Sequence, residues 1–297
     1  MSTTAADTTP RATRQTIDVR PITGALGAEV YGVDLANLSA DALARIRQAF
    51  LDHSVLMFHG QTLSKEQFAD FGRRFGELES EPFLPNKTEV PGIYYLRGAP
   101  RDGKSLSTQN LGWHADHSYQ KNPSLGAMLY AIDIPPCGGD TLFASNYLAY
   151  EGLSQPMQDF LEDKIGIHDV LQYGLNSGHH STSSVKAIEM LKAMRERYPQ
   201  VEHPLVCRHP ETGRKMLYIN CAWTTAIKGL SHAESSAILA MLKAHTIKDI
   251  YACRFRYQPG SLLFWDNRAV QHSPNSDYTG QRLMWRLALH SSWEPGQ

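Results

Sequence analysis

Cysteine is scarce in this chain: Cys137, Cys207, Cys221 and Cys253 lie far apart, and none belongs to a C-x-x-C pair. That spacing fits neither a disulfide framework nor a zinc knuckle, so a reducing, cytoplasmic setting is the default. All four are expected to be buried, chemically inert thiols. No apolar run approaches the ~20 residues that a membrane-spanning helix needs. Neither sign of charge dominates, with 29 Lys+Arg against 30 Asp+Glu. A balanced surface gives no electrostatic reason to expect nucleic acid or an anionic membrane as partner, which leaves a small molecule. Residues 1–16 lack the apolar stretch of a secretion signal, and Asp7 speaks against a transit peptide. Their Ser, Thr and Ala read as a disordered tail.

What is present is an even chain of 297 residues, 42% of them hydrophobic, enough to bury a large core. Without linker or repeat, one domain over 17–297 is the economical reading. Helix starts are marked by caps: Ser39 before Leu43, Ile46 and Phe50, Ser64 with Gln67, and Ser231 with Glu234. Another amphipathic stretch runs over 185–197 and stops before Pro199. Strand-like runs lie at 54–59, 127–132, 217–220, 251–257 and 261–265, bounded by Gly and Pro turns. This pattern predicts a β-rich α+β protein, a sandwich or barrel with helices outside.

Thirteen histidines are present. His53, His59, His168, His203, His209, His232, His245 and His290 stand singly and read as packing or surface residues. His179-His180 lies in a Gly/Ser/Thr-rich stretch that reads as a loop. Trp113-His114-Ala115-Asp116 differs, because residues i and i+2 of an extended segment share a side. An imidazole and a carboxylate can then reach one ion, although H-x-D alone suits a surface turn as well. A third ligand stands near the far end in Trp265-Asp266-Asn267-Arg268-Ala269-Val270-Gln271-His272. Two histidines and a carboxylate on one face of an octahedron form the facial triad of non-heme iron(II) oxygenases. Arg282 and Arg286 follow, and alternation with Leu283, Met284 and Trp285 predicts a strand with both guanidinium groups on its inner face. An arginine fork beside an iron site implies an anionic ligand.

These stretches resemble the taurine dioxygenase family, which also contains the aryloxyacetate dioxygenases. The resemblance runs from about Ile22 almost to the end. It includes Gly24-Ala25-Leu26-Gly27-Ala28-Glu29-Val30, Gly32-Val33-Asp34-Leu35, Arg73-Arg74-Phe75-Gly76-Glu77-Leu78 and Gly138-Gly139-Asp140-Thr141-Leu142-Phe143, besides the two metal-site motifs. It implies a double-stranded β-helix (jelly-roll) core with flanking helices, iron(II), 2-oxoglutarate as co-substrate, and O₂. Carried over by position, His114, Asp116 and His272 are the iron ligands. Thr141 and Arg282 resemble the pair that holds the distal carboxylate of 2-oxoglutarate, and Trp265 resembles the tryptophan near the iron. Arg286 resembles the arginine that meets the anionic head of the substrate. A homo-oligomer, dimer or tetramer, is expected.

Two departures bear on this reading. The stretch from His272 to Arg282 is one residue shorter than in taurine dioxygenase, a difference that the turn Asp277-Tyr278-Thr279-Gly280 can absorb. Asn110 matches a substrate-contacting asparagine, but Glu81 and Leu84 stand where taurine dioxygenase has a sulfonate-binding histidine and a tyrosine. A carboxylate repels a sulfonate, whereas Leu84, Phe83, Tyr119 and Trp223 suit a larger, more apolar body. The substrate expected is therefore an organic acid bulkier than taurine, such as an aryloxyalkanoate, whose oxidation can end in bond cleavage. The alternative for Arg286 is pairing with Glu81 or another internal carboxylate, with a neutral substrate. Sulfonates and sulfate esters are further candidates. The rival functions are a hydrolytic or isomerising zinc or manganese enzyme and a catalytically silent jelly-roll binding protein. A weak visible charge-transfer band from iron(II) and 2-oxoglutarate would separate the oxygenase from a zinc enzyme.

Overall fold

The structure is a computed structural model that describes residues 17–80, 87–98, 112–171 and 185–296. The first part of the chain forms β1 (Asp18–Pro21), β2 (Ala28–Tyr31), α1 (Ala40–His53), β3 (Val55–Phe58), α2 (Lys65–Arg73) and β4 (Tyr94–Gly98). Next come β5 (Gly126–Asp133), β6 (Thr141–Ser145), α3 (Asn146–Glu151), α4 (Gln155–Leu161), β7 (Ile165–His168) and α5 (Val185–Arg197). The chain continues with β8 (Val201–Pro204), β9 (Val206–Arg208), β10 (Lys215–Leu217), β11 (Thr224–Ile227) and α6 (His232–Thr246). Four strands complete it: β12 (Ala252–Phe255), β13 (Leu262–Asp266), β14 (Val270–Pro274) and β15 (Arg282–Leu289). No helix among the described residues is long and apolar enough to cross a membrane.

The predicted caps form as written. Ser39 accepts from the Ala42 N–H, and Ser64–Gln67 and Ser231–Glu234 close reciprocal capping boxes. Seven strands make one sheet in the order β1-β2-β3-β13-β5-β15-β4, with only β2–β3 parallel. A three-stranded sheet, β12-β6-β14, stands against it.

Alternation along β3 and β13 decides what lies on each side of the large sheet. Leu56, Phe58, Leu262 and Phe264 face α1 and α2, where Phe264 stacks on Phe50 at 4.0 Å between centroids. Val55, Met57, Leu263 and Trp265 face inward and meet Phe143, Cys253, Phe255 and Val270 of the small sheet. Buried side chains of this size are each worth about 1.5–3 kcal/mol in transfer energy, so the two faces hold the frame rigid around what lies between the sheets.

Four local expectations are corrected. Ser54 ends α1 in the left-handed region at φ 62°, its N–H bonded to Phe50 O, instead of opening β3. The run at 217–220 is not a strand, because β10 ends at Leu217. Asn220 Oδ1 accepts from the Ala222 and Trp223 N–H groups, and this side-chain turn competes with the ladder. Tyr251 lies in a short 3-10 turn before β12. Cys207 and Cys253 are buried, but Cys137 is exposed.

Candidate active site

His272 lies on β14, whose ladder with β6 pairs it with Phe143. On its other side it forms a single antiparallel bridge with His114, with N–H to O distances of 2.9 and 2.6 Å. The segment 114–116 is therefore not a regular strand, as i and i+2 periodicity suggested. One bridge sets the two imidazoles side by side, 4.1 Å between centroids, and the chain then turns at Asp116. Asp116 Oδ1 lies 3.8 Å from His114 Nε2 and 3.9 Å from His272 Nε2. These separations are too long for hydrogen bonds, so three donor atoms converge without bonding one another. All lie within 4.8 Å, and this is the one such His/Cys/Asp/Glu group found among the described residues.

Protonation suits a metal. His114 Nδ1 donates to Gly112 O at 2.9 Å, which fixes the ring with Nε2 turned toward the cluster. Burial, with His114 alongside, pushes His272 down to about 3, which keeps that ring neutral. Two imidazole nitrogens and one carboxylate, open on one side, fit divalent iron.

Asp116 Oδ2 has different partners: Asn267 Nδ2 at 3.2 Å and Arg286 Nη2 at 3.1 Å. Arg286 was expected to face an anionic group of the substrate or else to pair with an internal carboxylate, and the sheet register sets it against Asp116 of the triad. Burial pulls the Arg286 guanidinium down to about 10, opposed by nearby Glu79, and it stays charged at neutral pH. Glu79 in turn lies 3.0 Å from His117 Nδ1. His117 occupies the left-handed region at φ 57°, which few non-glycine residues adopt, histidine more readily than most.

Arg282 and Thr141 form a second polar group. Arg282 Nε donates to Gly139 O at 3.2 Å, and its guanidinium lies over the Tyr257 ring at 5.3 Å. Thr141 Oγ1 and Tyr257 OH are 2.9 Å apart. Gly138, at φ +74°, lets this turn pass 2.4 Å from where its Cβ would meet Asp277 O, a contact that no side chain allows. The predicted inner-face placement holds: Arg282 and Arg286 line one cavity of about 270 Å³ with the triad, Thr141 and Trp265. Its apolar wall is Leu96, Leu129, Tyr119, Met194 and Trp223.

Trp265 packs against the His272 ring at 4.9 Å, and Tyr119 meets Trp223 edge-on at 4.9 Å. Glu81, Phe83, Leu84, Asn110 and His179-His180 lie outside the described residues. Sequence reasoning missed His117, Glu79, Asn267 and Met194. Asn267 stood in a quoted motif, and His117 directly follows the H-x-D pair; no spacing rule singled out Glu79 or Met194.

A buried network braces residues 115–118 from behind. Asn220 Nδ2 and Trp223 Nε1 both donate to Ala115 O, at 2.8 and 3.1 Å. Ser118 Oγ accepts from Asn220 and shares a hydrogen bond with His168 Nδ1 at 3.0 Å, and His168 Nε2 shares one with Thr224 Oγ1 at 3.1 Å. Burial, together with His203 and Lys243, pushes His168 well below its ordinary range, and His203 is lowered mainly by burial. A depressed histidine stays neutral when folded while the unfolded chain takes up a proton below about 6.5, so acidification destabilises. The slope is at most about 1.4 kcal/mol per pH unit per group. The urea midpoint is therefore expected to fall between pH 7.5 and 5.5, and His168→Gln should flatten that slope. An unchanged slope in the variant would remove His168 as a cause.

Comparison with known proteins fits this geometry. The family model described as taurine catabolism dioxygenase TauD, TfdA family matches residues 18–288. A relative from Pseudomonas putida, an α-ketoglutarate-dependent sulfate ester dioxygenase, is 32% identical over 97% of this chain and 94% of its own length. The (S)-phenoxypropionate/α-ketoglutarate-dioxygenase of Sphingobium herbicidovorans is 32% identical over 92% and 94%. Among solved structures, a taurine dioxygenase from Burkholderia xenovorans superposes with a TM-score of 0.77 at 32% identity, covering 94% of this chain and 90% of that one. The chain belongs to the TauD, TfdA family of dioxygenases.

Proposed function

We propose that this protein oxidises a small organic acid with one anionic head and a bulky apolar body, an aryloxyalkanoate in the first instance. Its reaction class is that of an iron(II)- and 2-oxoglutarate-dependent dioxygenase. The observation that carries the substrate reading is the composition of the cavity: two arginines, Arg282 assigned to the co-substrate and Arg286 to the substrate, beside Leu96, Leu129, Tyr119, Met194 and Trp223. Arg286 engages Asp116 and also lines the cavity, so a substrate carboxylate would meet a fixed positive charge there while the aromatic wall takes the ring.

In this reading His114, Asp116 and His272 hold the iron, and Thr141 and Arg282 hold the distal carboxylate of 2-oxoglutarate. Bound iron, with 2-oxoglutarate and O₂, supplies the oxidising power. The chain's contribution is geometry. Arg286 fixes which substrate carbon lies nearest the metal, and the apolar wall excludes water, so orientation selects the hydrogen removed. Glu81, Leu84 and Asn110 belong to the proposed substrate contacts, with Tyr119. The two facing sheets are read as the double-stranded β-helix, within one catalytic domain over 17–297.

Succinate release is compared for an aryloxyalkanoic acid, its neutral amide, an alkyl sulfate ester and taurine. The acid is expected to exceed the amide and taurine by at least tenfold in kcat/KM: the amide lacks the charge-assisted hydrogen bond to Arg286, worth about 1.5–3 kcal/mol, and taurine has no body to fill the apolar wall. A preference for the amide would show that Arg286 serves Asp116 alone. Efficient turnover of taurine would refute the bulky-body reading, and preference for the sulfate ester would replace the carboxylate with a sulfate head.

A further inference from the structure

The two oxygens of Asp116 have different surroundings. Oδ1 faces the two imidazole nitrogens at 3.8 and 3.9 Å, whereas Oδ2 takes the Asn267 amide at 3.2 Å and the Arg286 guanidinium at 3.1 Å. A carboxylate that can rotate presents either oxygen, or both, to a cation. Here one oxygen is already engaged.

Asn267 itself cannot turn. Its Oδ1 accepts from the Asp116 N–H at 3.2 Å and from Trp265 Nε1 at 2.9 Å. Both partners are donors only, so a flipped amide would set N–H against N–H twice. Nδ2 must therefore face Oδ2, and burial of Asn267 to 1% exposure keeps water from competing. Its neighbours in the turn are held as firmly. Asp266 and Arg268 form a buried pair at 2.6 Å, and Arg268 Nη1 reaches Glu211 at 2.8 Å.

We propose that Asn267 is a positioning residue that turns Asp116 so that Oδ1 alone meets the metal and Oδ2 stays out of coordination. The inference rests on the triad being the metal site. Its consequence is an open coordination sphere: a two-oxygen carboxylate would occupy a position that a facial triad leaves for co-substrate or O₂. Burial alone would satisfy Asn267 with its Oδ1 bonds; the Nδ2 contact is what addresses the metal ligand.

The test uses Mn(II), a redox-silent EPR probe, on the full-length metal-free protein. Wild type is expected to bind Mn(II) and His114→Ala to lose it. Asn267→Ala should raise the Mn(II) Kd at least tenfold and alter the bound-Mn(II) spectrum, the scale seen when a group supporting a metal ligand is removed. Because alanine also orphans two buried N–H groups, Asn267→Ser is measured beside it. Serine keeps a hydroxyl acceptor in the pocket but does not reach Oδ2, so the same rise is expected in protein shown to be folded by circular dichroism. Arg268→Lys loosens the same turn without touching Asp116 and should keep its Kd within twofold of wild type. Wild-type affinity and spectrum in folded Asn267→Ser, or equal weakening by Arg268→Lys, overturns the positioning role and leaves the metal site standing. Equal Mn(II) binding by wild type and His114→Ala overturns the site, and the proposal with it.

Discussion

His114→Ala is expected to reduce substrate-dependent succinate formation to the level of a no-enzyme control while the protein remains folded. The two halves of that result have separate physical causes. The fold survives because the bridge to His272 is made by backbone groups, at 2.9 and 2.6 Å, which alanine keeps. The side chain's own bond to Gly112 O is one hydrogen bond, worth a net ~1 kcal/mol. Activity is lost because two donors no longer define one face of a coordination sphere. Asp116→Ala should be equally inactive but less stable, since it leaves Arg286 buried without its facing carboxylate; breaking such a pair costs about 3–5 kcal/mol. Succinate release, iron(II) binding and thermal unfolding measured together separate the effects. Retention of most wild-type turnover by His114→Ala would refute its role as a ligand.

That contrast shows what could be read from the residues and what could not. Caps were legible because they are local: Ser64 and Gln67, or Ser231 and Glu234, need only their own backbone. The spacing of His114 and Asp116 was legible as a pair, and His272 stood out as a candidate third ligand, whose role the family resemblance then supplied. No local rule joins His114 to His272, which meet through one bridge at the edge of β14. The pairing of Arg286 with Asp116 was legible only as an unnamed internal carboxylate. It depends on β15 pairing with β5 so that Arg286 stands opposite Leu129, across a register shift between Leu283 and Met284. A side-chain turn at Asn220 defeated the strand reading of 217–220, because an amide's choice between ladder and local bond is made by tertiary neighbours. The inward placement of Arg282 and Arg286 followed from period-two alternation, which a strand enforces whatever its partners.

Arg282→Ala is expected to raise the 2-oxoglutarate concentration needed for half-maximal activity by about 10- to 150-fold, because a charge-assisted fork on a carboxylate is worth about 1.5–3 kcal/mol. The guanidinium is buried, with 6% of the residue exposed, so little solvent screens the loss. Its present contacts are weak competitors for that carboxylate: one bond from Nε to Gly139 O, and the face of the Tyr257 ring. In the proposed reading both terminal nitrogens would take the co-substrate's distal carboxylate, beside Thr141 Oγ1, which lies 2.9 Å from Tyr257 OH. Arg282→Lys should recover only part of the effect, since a point charge cannot make the fork. The organic substrate's KM at saturating 2-oxoglutarate should change little, because Arg286 is left in place, four residues along the same face. Arg286→Ala should do the reverse, weakening the organic substrate and, through Asp116 Oδ2, the metal. If Arg282→Ala leaves 2-oxoglutarate saturation unchanged while the organic substrate's affinity collapses, the roles of the two arginines are exchanged.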